Sequence, residues 1–163
     1  MKDDDKKLAE DVIKYLCLNG EINGVRFGPT LQILLWGHDE GEKGISGQVY
    51  LNVESKWCIY DILPDEFPVS ETDVEEMDRM KELEILNELS LIEIVDVKLG
   101  DHIPHLIITF QNGKSLFVYG HDEQYESWQL GVAFQDDTWL VVSCPGDEIA
   151  VWYPNSFNLD VAE

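Results

Sequence analysis

Leu106-Ile107-Ile108-Thr109-Phe110-Gln111-Asn112-Gly113-Lys114-Ser115-Leu116-Phe117-Val118-Tyr119 decides the fold class. Two short runs rich in β-branched and aromatic residues flank Asn112-Gly113. That dipeptide between such runs is the strongest short-range signal for a β-hairpin. Outward from it the same texture repeats. Ile92 to Leu99 precedes it, and Trp128 to Phe134, Thr138 to Ser143 and Ile149 to Trp152 follow. Asp136-Asp137 and Pro145-Gly146-Asp147 separate these runs as turns. Upstream, Val25 to Phe27, Leu31 to Trp36, Val49 to Val53 and Trp57 to Ile62 read as strands, the last stopped by Pro64 and Pro68.

Two segments break the β pattern. Leu8, Val12, Ile13 and Leu16 recur at helical spacing, and Asn19-Gly20 ends that run. Ser70, with Asp73 three residues on, reads as the N-cap of a second helix whose interrupted apolar stripe is Val74, Met77, Met80 or Lys81, Leu86 and Leu89. Its other faces carry Glu71, Asp73, Glu75, Glu76, Asp78, Glu82, Glu84 and Glu88, offset by Arg79 and Lys81. Acids in the first turn suit the helix dipole, whereas acids along the whole length repel one another.

The expectation is an α+β fold: two antiparallel β-meanders forming a curved sheet or sandwich, with an N-terminal helix and a central acidic helix. The chain reads as one domain over 1–163. It divides into a helix over 8–18, a first meander over 25–62, an acidic helix over 70–90, a second meander over 92–153 and a loose tail over 154–163. Phe110, Phe117, Val141 and Trp152 are expected in the core.

An internal repeat is visible within this plan. Val25-Arg26-Phe27-Gly28 resembles Val97-Lys98-Leu99-Gly100. Each is followed by an apolar strand, a polar turn and a second strand. Each then reaches an acidic-aromatic segment, Glu54-Ser55-Lys56-Trp57 in one case and Tyr125-Glu126-Ser127-Trp128 in the other.

The charge narrows the function classes. The 163 residues carry 33 acids against 11 bases, a formal charge of −22. A hydrophobic fraction of 44% with five tryptophans separates this from a disordered acidic tail. The surplus argues against direct nucleic-acid binding, which needs bases to displace counterions from phosphates. It argues equally against anionic membranes. A basic protein partner would be drawn in; the plain alternative is an acidic surface tuned for solubility.

Cys17, Cys58 and Cys144 form no CxxC pair, and Cys58 and Cys144 read as small buried hydrophobes. Free thiols, and an N-terminus without a signal-peptide pattern, point to the cytoplasm. His102, His105 and His121 show no metal-ligand spacing, so no metal or cofactor is expected. No pair of carboxylates is singled out for catalysis, and no nucleophile elbow or phosphate loop is present. Gly37-His38-Asp39-Glu40 and Gly120-His121-Asp122-Glu123 read as similar polar turns, and Tyr125 and Trp128 as core residues.

The C-terminal half carries a resemblance. Phe110-Gln111-Asn112-Gly113, Tyr125-Glu126-Ser127-Trp128 and Pro145-Gly146-Asp147-Glu148-Ile149-Ala150-Val151-Trp152 stand in the order of an F-x-[DN]-G hairpin, a Y-E-x-W segment and a P-G-G-x-[IL]-A-V-W strand. This resembles an uncharacterised bacterial family, a domain of unknown function, with Asp147 where the family has a second glycine. In size and charge the chain also resembles immunity proteins of bacterial toxin systems. That resemblance implies an inhibitor, not an enzyme, which blocks a basic toxin domain such as a nuclease. The expected partner-binding residues are Glu71, Asp73, Glu75, Glu76, Asp78 and Glu82, with the turns at Asp39-Glu40 and Asp122-Glu123. The alternatives are a DNA mimic that binds a nucleic-acid-binding protein, and a small enzyme or ligand-binding domain whose acidity is incidental.

Overall fold

The computed structural model describes residues 1–37 and 43–157. Helix α1 spans Asp3–Cys17 and opens earlier than the apolar spacing predicts, because Asp3, Asp4 and Asp5 fill its first turn, where the dipole favours acids. Its buried residues are Ala9, Val12, Ile13, Leu16 and Cys17. Strands β1 (Gly20–Phe27), β2 (Leu31–Gly37) and β3 (Gln48–Val53) follow as an antiparallel meander, and β4 (Trp57–Tyr60) comes next. Helix α2 spans Arg79–Leu89. A second meander is built from β5 (Ile94–Leu99), β6 (Leu106–Phe110) and β7 (Ser115–Val118). β8 (Trp128–Ala133), β9 (Leu140–Cys144) and β10 (Glu148–Trp152) are the remaining strands among the described residues.

The α+β expectation, two antiparallel sheets with an N-terminal helix, is what the structure has. The sheets do not divide along the halves of the chain, however. One sheet has six strands in the order β1-β2-β3-β8-β9-β10, and the other four in the order β4-β7-β6-β5. Each meander therefore keeps three strands and sends its fourth to the other sheet. β4 pairs with β7, Trp57 lying opposite Val118; β8 pairs with β3, Trp128 lying opposite Val53.

This exchange follows the internal repeat. Phe27, Leu31, Val53 and Trp128 form one row of paired residues across four strands, and Leu99, Leu106, Val118 and Trp57 form its counterpart. Both meanders open with a strand irregularity at the same place, between Ile22 and Gly24 and between Ile94 and Asp96. The inward faces of both sheets and α1 enclose the main core, which includes Phe110, Val141 and Trp128.

The hairpin between β6 and β7 forms as its sequence signals. Gly113 N–H donates to the Phe110 carbonyl and Phe110 N–H to that of Lys114. Gly113 is left-handed (φ 87°). A three-residue loop closed by one left-handed glycine is the next commonest hairpin after the two-residue form.

The acidic helix over 70–90 needs correction. Ser70 does act as a cap, accepting from Thr72 N–H, but only for a single 3-10 turn over Glu71–Asp73. The chain then runs extended until Asp78, whose carboxylate accepts from Lys81 N–H at 2.8 Å and starts α2. Two forces favour the break. A continuous helix would stack the carboxylates of Glu71, Glu75, Glu76 and Asp78 at repelling spacings. The extended path also buries Val74 against Ile107, Phe117 and Tyr119 on the outer face of the four-stranded sheet. Phe67 stacks on Phe117 there, ring centroids 5.3 Å apart, so Phe117 is buried from both sides.

Two further expectations are corrected. Trp152 is 49% exposed, since β10 is an edge strand whose alternation turns Ile149 inward and Trp152 to the outer face. The tail is not loose through Phe157, whose ring packs edge-on against Tyr15 and Trp139. Residues 158–163 lie outside the described residues.

Candidate functional site

The segment between Ser70 and α2 places the predicted acids. Glu71 sits on the 3-10 turn, where its Oε1 accepts from Lys56 N–H at 3.3 Å. Glu75 and Glu76 lie exposed on the extended stretch, and Glu82 lies half-buried in the first turn of α2. These four carboxylates and Glu54 line one hollow of about 270 Å³. Trp57 and Met77 contribute apolar surface to it, and Lys56 is the one base lining it among the described residues. The Lys56 ammonium is itself directed to the Val74 carbonyl, 3.5 Å away. Burial pushes the Glu82 carboxyl above its ordinary range; Asp78 adds to the shift and Arg79 opposes it.

Glu71 also lines a neighbouring open groove of about 510 Å³, shared with His121, Asp122, Glu123 and Tyr125. Tyr119 joins the two walls of this groove by donating its hydroxyl to the Val69 carbonyl at 3.1 Å. Asp122 accepts from the N–H groups of Gln124 and Tyr125 at 2.7 and 2.8 Å, and these bonds lower its pKa. That turn keeps Tyr125 outside β8 and 70% exposed, correcting its assignment to the core; Trp128 is fully buried and donates Nε1–H to the Pro104 carbonyl.

The structure thus brings Glu71, Glu75, Glu76 and Glu82 together, and joins Asp122 and Glu123 to them through Glu71. Asp78 lines a third hollow, again with Glu75 and Glu76. Asp73 is exposed on the same 3-10 turn but lines neither of the first two hollows. Asp39 and Glu40 lie outside the described residues. Sequence reasoning missed Glu54, Lys56 and Tyr125 as parts of this face. The signal lies in the repeat, where Glu54-Ser55-Lys56-Trp57 and Tyr125-Glu126-Ser127-Trp128 occupy matching places.

The histidines do different work. His105 is buried, its Nδ1 accepts from Gly120 N–H at 2.9 Å, and burial holds its pKa down at about 4. His121 sits 2.6 Å from an Asp147 carboxylate oxygen, which raises its pKa. His102 is exposed. Among the described residues no group of three or more His, Cys, Asp or Glu side chains is placed to hold a metal ion. Burial raises the thiol of Cys17 to about 12 and lifts Cys58 and Cys144 as well, which keeps all three protonated and poor nucleophiles at neutral pH. No helix among the described residues is long and apolar enough to cross a membrane.

Comparison of the chain with protein-family models, curated proteins and solved structures gives no match in any of the three.

Proposed function

We propose that this chain is a cytoplasmic immunity-type inhibitor that occludes a basic protein partner, a toxin domain of the nuclease kind, through its acidic face. The observation that carries the reading is the position of Glu71. It belongs at once to the Glu54-Glu75-Glu76-Glu82 hollow and to the Asp122-Glu123 groove, so carboxylates from three separate stretches form one surface. A phosphate-binding cleft is lined with Lys, Arg and His, and a carboxylate-rich surface can fill it. Steered encounter raises the association rate, and desolvated charge pairs slow dissociation. Glu82 fits this role, since burial raises its carboxyl pKa and a partner cation would offset that penalty. Tyr125, an exposed aromatic beside the acids, suits an anchor.

The test uses the chain as bait, beside a variant with Glu71, Glu75, Glu76 and Glu82 all changed to Gln. The expected result is a basic toxin domain retained by the wild type, lost from the variant, and released as salt screens the charges over about 8 Å. An association rate that stays flat from low to high salt, or a partner retained equally by both baits, would overturn the reading.

A further inference from the structure

The repeat gives one half of the molecule a piece that the other lacks. Trp128 opens β8 as Trp57 opens β4, each opposite the last residue of the other half's third strand. β8 is an interior strand: Val132 N–H donates to the Trp139 carbonyl, and Leu130 lies opposite Val141 of β9. The β9–β10 hairpin fills the space beside β8, where it packs on α1. The matching registers make β4 the counterpart of β8, and the element order makes α2 the counterpart of α1, so the matching space lies between β4 and α2. There the structure has an open groove of about 460 Å³, lined by Cys58, Ile59, Met77, Ile85, Glu75 and Glu76 among others.

β4 is an edge strand, and its side away from β7 pairs with no strand among the described residues. Tyr119 N–H donates to the Lys56 carbonyl. Antiparallel alternation then turns the backbone groups of Cys58 and Tyr60 toward β7, and those of Trp57 and Ile59 outward. Among the described residues the outward N–H groups of Trp57 and Ile59 have no backbone partner.

We propose that β4 is the receptor edge for a strand of the partner, which adds to the four-stranded sheet in the place that β9 holds on the six-stranded one. This rests on the acidic-face reading and specifies its geometry. The added strand would alternate apolar and basic residues. Apolar side chains would meet Ile59 and Ile85, while basic ones would meet Glu75 on the side of Cys58, whose thiol already feels that carboxylate. A second copy of this chain is disfavoured as the occupant, since each copy would bring Glu75 and Glu76 to the same edge.

The test mixes the full chain at low salt with a labelled peptide of alternating lysine and valine. A lysine-proline peptide of equal charge, whose prolines lack the N–H groups that the valines would donate opposite Trp57 and Ile59, serves as the second probe. The expected result is that the lysine-valine peptide binds about tenfold more tightly, and that it slows amide exchange at Trp57 and Ile59 about tenfold. Ile59→Pro, whose missing N–H points outward, should lose the preference between peptides, at some cost in stability because Ile59 packs against the main core. If both peptides bind equally, or exchange at Trp57 and Ile59 is unchanged in the bound wild type, strand addition is overturned while the acidic face stands. If neither peptide binds, the acidic-face reading falls and takes this inference with it. The exchange measurement needs no variant, so a poorly folded Ile59→Pro would not shield the proposal.

Discussion

Asn19 and Leu91 are counterparts across the two halves of the chain: Asn19 donates its N–H to the Ile94 carbonyl and Leu91 donates its N–H to the Ile22 carbonyl, at 3.0 and 3.1 Å. Each stands just past the end of a helix, in the left-handed region, with φ of 64° and 62°. The numbering shift that carries Asn19 onto Leu91 also carries Ile22 onto Ile94, Val25 onto Val97 and Phe27 onto Leu99. The paired bonds therefore clamp the opening strand of each meander to the helix exit of the other.

The same comparison yields a stability prediction. Asn tolerates the left-handed conformation, whereas Leu pays a steric penalty there of roughly 1–2 kcal/mol. Leu91 is 68% exposed, so little packing is lost on replacing it. Leu91→Asn should stabilise the fold by about 1 kcal/mol, and Asn19→Leu should destabilise it by a similar amount. Urea titration with unchanged m-values checks both, and a lower midpoint for Leu91→Asn would contradict the strain argument.

Much of this architecture was legible. Alternation and turn residues located the strands, and the match of Val25–Gly28 to Val97–Gly100 falls in the register that the structure confirms. The exchange of β4 and β8 was not legible, because alternation says which face a strand buries and not which strand it joins. Trp57 and Trp128 follow their own meanders closely in sequence yet pair with the other. The acids were legible as composition. Their union into one face was not, because it depends on the Tyr119 hydroxyl reaching Val69 across fifty positions of chain. Asp147 adopts the left-handed conformation (φ 61°) and uses its carboxylate on His121, a pairing that turn residues alone do not announce.

The corrected start of α2 separates the acids into two kinds. Asp78 is an N-cap, and Asp78→Ala should cost about 1 kcal/mol. Glu75 and Glu76 are exposed and make no such bond among the described residues, so changing both to Gln should leave the melt within about 0.5 kcal/mol of wild type or raise it slightly. Thermal melts of the two variants distinguish these outcomes. Equal losses would mean that Glu75 and Glu76 hold the connecting segment in place. For the same reason Asp78 does not belong in a variant intended to test binding alone.

Phe117 and Trp152 should differ sharply, although the sequence placed both in the core. Phe117 is enclosed by the sheet on one side and by Phe67 and Val74 on the other, so Phe117→Ala should cost about 3–5 kcal/mol. Trp152 stands half-exposed on an edge strand, and Trp152→Ala should cost about 1 kcal/mol or less. Denaturant titration measures both, and a cost for Trp152 equal to that for Phe117 would mean that its outer face is covered.

His105 should make the fold acid-sensitive in a defined window. Burial lowers its folded pKa to about 4 against the opposing pull of the Pro68 backbone, and Gly120 N–H donates to its unprotonated Nδ1. The unfolded chain protonates it near 6.5, so between about 6.5 and 4 the unfolded state binds a proton that the folded state refuses. The stabilising contribution is therefore complete above about pH 6.5 and lost as the pH falls, amounting to about 3 kcal/mol by pH 4. His121 runs the other way. Asp147 raises its pKa, so its contribution is complete below the unfolded value and fades as the pH rises through the folded one, outside the window of His105. Relief of repulsion among the many carboxylates acts in the acid range as well, and a comparison with His105→Asn isolates the histidine. Asn keeps an acceptor for the Gly120 N–H but does not titrate. The variant's stability should therefore fall less steeply than the wild type's between pH 6.5 and 4, and the wild-type His105 ring resonances should not shift above about pH 5. Parallel stability curves, or a His105 titration centred near 6.5, would show that water reaches the ring and that the segment over 61–78 does not seal the outer face of the sheet.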